Sequence, residues 1–334
     1  MNLLRKIAIF ASLSIMLCAL SGGIAQAASP AKIVMRVGTP TTIKDIQYYE
    51  MEQFKKLLEE KIGDKISVEL YPAGQLGSNA QMLQGIQAGA VHGLLEPTAF
   101  LGGFCSVANV VDLPYMFKDV WSATEILNTK DGDQLRDYLA TREVFTASFY
   151  PHGDRITLIN APINSIKDLA GKKIRVMGAK VLQDQYASWG ATGIPMDVPE
   201  LYTALQQGTI DGLESSPTFC QQGKYFEVAK NLFYEPKGAE VTIFMLSKVW
   251  FDKLPEDIKS AIIETAKEVQ PLADKQSRVM QEESIKIMKD AGVNVIITSP
   301  EFHDELVKRA LSVHDIFLKD NPEAKPIYDH FKSL

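Results

Sequence analysis

Two spacings of hydrophobic residues alternate along the chain. Ile66, Val68 and Leu70 alternate with polar neighbours, which predicts a strand with one buried face over 65–71. The segment before it, 44–62, has apolar residues at helical spacing. The same alternation continues with strands over 32–37 and 91–95 and a helix over 78–88. This βαβαβ order predicts a parallel sheet with helices on both faces.

The longest helical pattern covers 255–289, with Pro255 at its start and an approximate apolar stripe from Ile258 to Ile287. At 1.5 Å per residue such a helix is about 50 Å long, more than the diameter of a small domain. We therefore expect it to contact two lobes, with a kink at Pro271. The chain has no flexible linker, and strand patterns meet turn residues near 150–154 and 238–241. These are the predicted crossings between the lobes.

The N-terminus has the pattern of a secretory signal peptide. Arg5 and Lys6 precede an apolar run over 7–20, and Ala25-Gln-Ala27 is a small-x-small cleavage pattern. The apolar run is shorter than the roughly 20 residues of a transmembrane helix. We expect residues 1–27 to be removed and the rest to be a soluble periplasmic protein.

Composition narrows the function. The chain has 334 residues, 46% of them hydrophobic, and 35 basic against 41 acidic residues, for a net charge of −6. The length predicts two domains, and the acidic balance argues against nucleic acid as a partner. Cys105 and Cys220 follow no metal spacing, and the five histidines form no zinc-type cluster. We expect no cofactor and no metal site, and two buried thiols rather than a disulfide.

Motifs of common enzyme classes are missing. The sequence contains no G-x-S-x-G, no G-x-x-x-x-G-K-[ST], no H-E-x-x-H and no C-x-x-C. A Cys105–His152 pair has no supporting local pattern. The sequence therefore favours a binding protein over an enzyme.

Four linked motifs carry a family resemblance. The chain resembles the substrate-binding proteins of TRAP transporters, the dicarboxylate-binding-protein family, in Gly171-Lys-Lys-Ile-Arg-Val176, Trp189-Gly-Ala-Thr-Gly-Ile-Pro-Met196, Pro199-Glu-Leu-Tyr-Thr-Ala-Leu-Gln-Gln-Gly208 and Thr209-Ile-Asp-Gly-Leu-Glu-Ser215. Shorter matches at 70–77, 113–117 and 254–257 extend the resemblance over essentially the whole chain after the leader.

The resemblance implies a two-lobe periplasmic binding protein of α/β class. Each lobe would be a mostly parallel sheet flanked by helices, with hinge strands and the long helix joining the lobes. Lobe I would comprise 31–152 and 241–280, and lobe II 153–240 and 281–334, with the ligand cleft between them. Such a protein, expected as a monomer, captures a small organic carboxylate and delivers it to TRAP permease membrane subunits. The alternatives are a periplasmic enzyme acting on a carboxylated substrate and a ligand sensor for a membrane receptor.

Arg175 is the strongest candidate for the ligand anchor. It lies within an apolar strand segment, where an unpartnered guanidinium would be costly to bury. A planar fork of N–H donors fits a carboxylate in bidentate geometry, and this position matches the family's carboxylate anchor. Arg155 matches a second cleft arginine of the family, or it pairs internally with Asp154 or Asp197.

The other candidates follow strand ends or family positions. Ser215 stands where many members have Asn, and Val198 where some have an aromatic ring. Glu96 either meets a ligand amine or caps a loop, and Phe219 either lines the cleft or belongs to the core. Four residues at the ends of strands in lobe I complete the set: Thr39, Pro40, Pro97 and Thr98.

The signal peptide yields a direct prediction. We expect the mature protein to begin at Ala28 or within a few residues of it, because signal peptidase cleaves after a small-x-small pattern. N-terminal sequencing of protein recovered from the periplasm checks this, and an intact Met1 would contradict it.

Overall fold

The computed structural model describes residues 32–334. The predicted signal peptide lies outside these residues. Eleven strands are present in the described chain: β1 Ile33–Gly38, β2 Ile66–Tyr71, β3 Gly93–Pro97, β4 Val144–Asp154, β5 Ile156–Ile159, β6 Lys173–Val176, β7 Thr192–Pro195, β8 Gly212–Ser215, β9 Asn231–Tyr234, β10 Ala239–Ser247 and β11 Asn294–Ile297.

Helices connect these strands and cover the sheets. In the described part of the chain they are α1 Ile46–Ile62, α2 Asn79–Ala88, α3 Val120–Leu127, α4 Asp133–Ala140, α5 Ile166–Leu169, α6 Lys180–Ser188, α7 Leu201–Gln206, α8 Pro217–Gln222, α9 Lys248–Phe251, α10 Glu256–Asp290, α11 Pro300–Asp320 and α12 Lys325–Ser333. Local sequence explains several starts. Asp45 caps α1, and Ser78 and Gln81 form a capping box at α2.

The strands form two sheets. The first has the order β2-β1-β3-β10-β4, and the second the order β11-β9-β5-β8-β6-β7. β4 leads into β5 through Arg155 alone, and β9 leads into β10 through residues 235–238. The chain thus crosses between the sheets at the two places where the sequence predicts it, and a third time through α10, which lies between β10 and β11. The two-lobe α/β fold is confirmed.

Each sheet is mostly parallel, as predicted, but contains one strand of opposite direction. Every antiparallel pair involves β5 or β10, so both sheets are mixed in the strict sense. These two strands each follow a crossing between the sheets and run back against their neighbours. The parallel pairs, such as β1 with β2 and β6 with β7, are those built from βαβ units.

The long helix α10 contacts both parts of the molecule. It has 35 residues, runs without a break through Pro271, and packs against α1 and β4 as well as against α8. Ile258, Ile262 and Val269 are buried, as predicted. The predicted stripe fails further along, because Val279 and Ile287 are 40% and 46% exposed.

Polar residues replace the apolar stripe in the second half of α10. Ser277 accepts a hydrogen bond from Trp121 Nε1 at 2.9 Å, and Gln281 accepts one from the backbone N–H of Asp154 at 3.0 Å. Gln281 also donates to the Asp154 carboxylate at 3.2 Å. This half of the helix therefore holds the first crossing by hydrogen bonds rather than by apolar packing.

The C-terminal helix α12 packs on residues that precede the first crossing. The rings of Phe331 and Phe117 lie 5.4 Å apart, and His330 Nε2 lies 3.0 Å from Asp131 Oδ1. The exact division of the chain into lobes remains a prediction, and these contacts favour placing α12 with the first sheet rather than with lobe II.

The two faces of α10 give a matched pair of variants. Ile262→Ala should lower the free energy of unfolding by about 2–5 kcal/mol, because it leaves a cavity at a fully buried site. Ile287→Ala, on an exposed face of the same helix, should change it by less than about 0.5 kcal/mol. Urea unfolding measures both, and equal effects would contradict the buried position of Ile262.

Candidate ligand-binding site

A small cavity lies where strands of the two sheets end. β3, β6 and β8 all point their carboxyl ends at it, which is where α/β sheets bind ligands. The cavity is narrow, with about 10 Å³ open to the centre of a water-sized sphere. Residues from both sheets line it: Pro40, Thr41, Pro97, Phe100, His152, Arg175, Met177, Val198, Ser215, Phe219 and Glu240.

Arg175 is a buried cation with unused hydrogen-bonding capacity. Its side chain is on β6, and the residue is 1% exposed. Nε donates to the carbonyl oxygen of Met196 at 2.8 Å, whereas Nη2 has no partner among the described residues. Burial lowers the pKa of the guanidinium, since no acid pairs with it directly. An anion with two oxygens would supply the missing acceptors.

Arg155 is equally buried but fully engaged inside the protein. Nη1 donates to Glu214 Oε1 at 2.8 Å, Nη2 to Asp112 Oδ1 at 2.7 Å, and Nε to the carbonyl oxygen of Ala239 at 3.1 Å. The predicted alternative of an internal ion pair is therefore what the structure contains, with Asp112 and Glu214 rather than Asp154 or Asp197. Arg155 is absent from the cavity lining.

A second ionic group at the cavity, centred on His152, has two acidic partners within the protein. His152 Nε2 lies 3.0 Å from Asp45 Oδ1, and its Nδ1 lies 3.0 Å from Glu240 Oε1. The latter is an ion-pair contact without regular hydrogen-bond geometry. Burial opposes protonation of His152, but the two carboxylates raise its pKa well above the usual value. Ser215 Oγ donates to Glu240 at 3.0 Å.

The structure brings six of the ten predicted ligand residues together in the lining: Arg175, Ser215, Pro40, Pro97, Val198 and Phe219. The other four are behind it with internal partners. Thr39 donates to Gln47 at 2.8 Å, and Thr98 to Asp112 at 2.9 Å. The lobe I strand ends therefore lie at the cavity as expected, but only their prolines line it.

Glu96 and Arg155 are the remaining two. Glu96 accepts a hydrogen bond from Asn79 Nδ2 at 2.5 Å, and burial raises the pKa of its carboxyl well above the usual value. Glu96 is thus held by the first residue of α2, an internal partner, and it lies outside the cavity lining. Whether any of the ten residues contacts a ligand remains a prediction.

Sequence reasoning missed five lining residues: Thr41, Phe100, His152, Met177 and Glu240. Met177 directly follows β6, and Phe100 follows β3 in a short 3₁₀ turn. A consistent search of residues after strand ends would have found both. His152 and Glu240 come from the first two crossings, and only the pairing of β4 with β10 places them side by side.

Other candidate chemistry is limited in the described residues. Cys105 and Cys220 are buried free thiols. Among residues 32–334 no group of three or more His, Cys, Asp or Glu side chains is placed to hold a metal ion. None of the helices within this range has the length and hydropathy that a membrane span requires.

Comparison with known families decides what kind of protein this is. Residues 37–320 match the DctP family, described as "Bacterial extracellular solute-binding protein, family 7". The chain belongs to this family. Its members are substrate-binding components of transporters rather than enzymes, so the predicted binding function and the extracytoplasmic location are confirmed.

Individual members agree with this assignment. The chain is 30% identical to the 2,3-diketo-L-gulonate-binding periplasmic protein YiaO of Escherichia coli, with 86% of this chain and 88% of that protein covered. It is 30% identical to the C4-dicarboxylate-binding periplasmic protein DctP of Rhodobacter capsulatus, over 75% and 74% of the two chains. A TRAP periplasmic solute-binding protein from Desulfovibrio salexigens, solved with bound orotic acid, superposes with a TM-score of 0.85 at 28% identity, covering 90% and 99%.

The ion pairs of Glu240 predict a pH effect on stability. Burial opposes ionisation, but the neighbouring His152 lowers the pKa of Glu240 from 4.5 to about 2. Because the folded pKa is below the unfolded one, this stabilisation is present above pH 4.5 and is lost as the pH falls towards 2. Each pKa unit of such a difference corresponds to about 1.4 kcal/mol of stability.

We therefore expect Glu240→Gln to be less stable than the parent protein at pH 7 and to approach it as the pH is lowered. Urea unfolding between pH 3 and 7 measures the difference. Glu282→Gln, at an exposed position of α10, is the control and should follow the parent at every pH. A constant deficit for Glu240→Gln would show that Glu240 does not ionise with a lowered pKa.

Proposed function

We propose that this protein captures a small organic acid between its two sheets and that Arg175 binds the carboxylate. The observation that carries this proposal is the buried guanidinium whose Nη2 lacks a partner among the described residues. A buried charge of this kind is costly unless an ion of opposite sign pairs with it. A carboxylate would remove that cost and accept two parallel hydrogen bonds.

Relatives support the same chemistry. The ligands in their descriptions, 2,3-diketo-L-gulonate, C4-dicarboxylates and orotic acid, all carry a carboxylate group. What these relatives have in common is therefore the group that Arg175 is suited to bind. Their remaining atoms differ widely, so the rest of the cavity decides which acid is selected.

The proposed mechanism is closure around the ligand. The cavity wall is shared between the two predicted lobes: Pro97 and Phe100 come from the first lobe, and Arg175 and Ser215 from the second. A ligand that contacts both walls favours the closed state by its additional contacts there. The closed monomer would then deliver the acid to the membrane subunits of a TRAP permease.

Substitution of Arg175 tests the anchor. A hydrogen bond to a charged group contributes about 1.5–3 kcal/mol, and truncation also leaves the ligand carboxylate buried without a partner. Arg175→Ala should weaken binding by about 100-fold or more. Arg175→Lys keeps the charge without the planar fork and should recover part of the loss. A thermal-shift screen of organic acids selects the ligand, and calorimetry measures its affinity.

Arg309→Ala is the matched control. Arg309 is an exposed arginine of α11 that pairs with Glu305 one helical turn away, so its removal should leave affinity unchanged. Near-native affinity in Arg175→Ala would place the anchor elsewhere. If no carboxylate of a broad screen stabilises the parent protein, the proposed ligand class is wrong.

A further inference from the structure

Among residues 32–334, the cavity lining has one cation that is free to receive an anion. Its other cation, His152, lies between Asp45 and Glu240, so that group carries an excess of negative charge before any ligand arrives. Arg155 is held by Asp112 and Glu214 outside the lining. A second carboxylate on the ligand would therefore find no cation and would face Glu240.

Lys237 is also a buried cation, but it does not add to the cations of the cavity lining. Its Nζ also lacks a hydrogen-bond partner among the described residues, and burial lowers its pKa to about 8. However, the ammonium lies 5.9 Å from the centre of the Tyr186 ring, and neither residue lines the cavity. Arg175 remains the cation in the lining whose donors are available.

Neutral hydrogen-bond donors of the cavity are also in use. Thr41 Oγ1 donates to Gln47 Oε1 at 3.0 Å, and the Ser215 hydroxyl donates to Glu240. A ligand rich in hydroxyl groups would find acceptors here but few donors. Each hydroxyl left without its full set of partners would weaken binding, because desolvation is not compensated.

Carbon makes up much of the remaining wall. The side chains of Phe100, Met177, Val198 and Phe219 line the cavity together with Pro40 and Pro97. The Phe100 ring lies beside the anchor, with its centre 5.9 Å from the Arg175 guanidinium carbon. If Arg175 binds the carboxylate of a ligand, the remainder of the ligand would thus contact apolar groups.

We infer that the preferred ligand is a compact monocarboxylate with an apolar body, rather than a dicarboxylate or a polyhydroxylated sugar acid. This inference rests on the proposed function, since it takes Arg175 as the carboxylate anchor. It goes further by assigning the selectivity to two features of this chain: a single available cation, and apolar walls whose few polar groups already have internal partners.

Two matched pairs of acids test the inference by calorimetry on the full mature protein. Butanoate has a terminal methyl group where succinate has a second carboxylate. Cyclohexanecarboxylate and glucuronate differ in ring oxygen and hydroxyl groups. We expect the monocarboxylate without hydroxyls to bind at least about tenfold more tightly in each pair, because the polar member leaves groups unpaired.

A wall substitution adds a second readout. Val198→Thr replaces a methyl by a hydroxyl of similar shape in the lining, and should narrow the preference for cyclohexanecarboxylate over glucuronate by about threefold or more. Val34→Thr makes the same exchange on β1, away from the cavity, and should leave the preference unchanged.

The outcomes separate this inference from the proposed function. If succinate or glucuronate binds as tightly as its partner and Arg175→Ala abolishes that binding, the anchor stands and the monocarboxylate preference is overturned. Absence of binding by all four acids also overturns the inference, while the broader screen with Arg175→Ala still decides on the anchor. Tighter binding of butanoate than succinate and of cyclohexanecarboxylate than glucuronate, with the second preference reduced by Val198→Thr, supports it.

Discussion

The ion pairs of Arg155 connect the two sheets at the point where the chain crosses between them, and the rest of the structure depends on this connection. Arg155 lies at the first crossing between the sheets, Glu214 is on β8 of the second sheet, and Asp112 precedes the first crossing in sequence. The Arg155 guanidinium also donates to Ala239, the first residue of β10 after the second crossing. One buried cation thus connects the first two crossings to both lobes, and removing it would leave two carboxylates without a counter-ion, a costly change in a protein interior.

The two buried arginines have different surroundings and therefore different roles. Arg155 has acidic partners on either side and serves the structure, whereas Arg175 has only a backbone carbonyl and retains free donors. The nearby acids also have partners within the protein: Glu240 forms an ion pair with His152, and Glu214 with Arg155. Among the described residues of the cavity lining, Arg175 is thus the cation without an acidic partner, and under the proposed function it is the group that would attract an anion.

Much of the fold followed from periodicity, and much less of the site did. The long helix, the alternation of strands and helices, and the first two crossings can all be predicted, because the responsible residues are contiguous in sequence. Arg175 could be found because an arginine inside an apolar strand is conspicuous. The pairing of Arg155 with Asp112 could not, since Asp112 lies in a turn far away in the chain. The meeting of His152 with Glu240 could not either, since it depends on the register between β4 and β10. The failure of the apolar stripe beyond Pro271 has a related cause: Ser277 and Gln281 are buried by partners that local sequence does not reveal.

The polar contacts of the second half of α10 also affect how the protein responds to temperature. Exposure of apolar surface raises the heat capacity of unfolding, and exposure of polar surface lowers it. The first half of the helix buries isoleucine and valine, while the second half buries serine, glutamine and alanine together with Met288. The two halves of this one helix therefore contribute unequally to the curvature of the stability curve, and the half that holds the crossing depends less on the hydrophobic effect, which weakens on cooling.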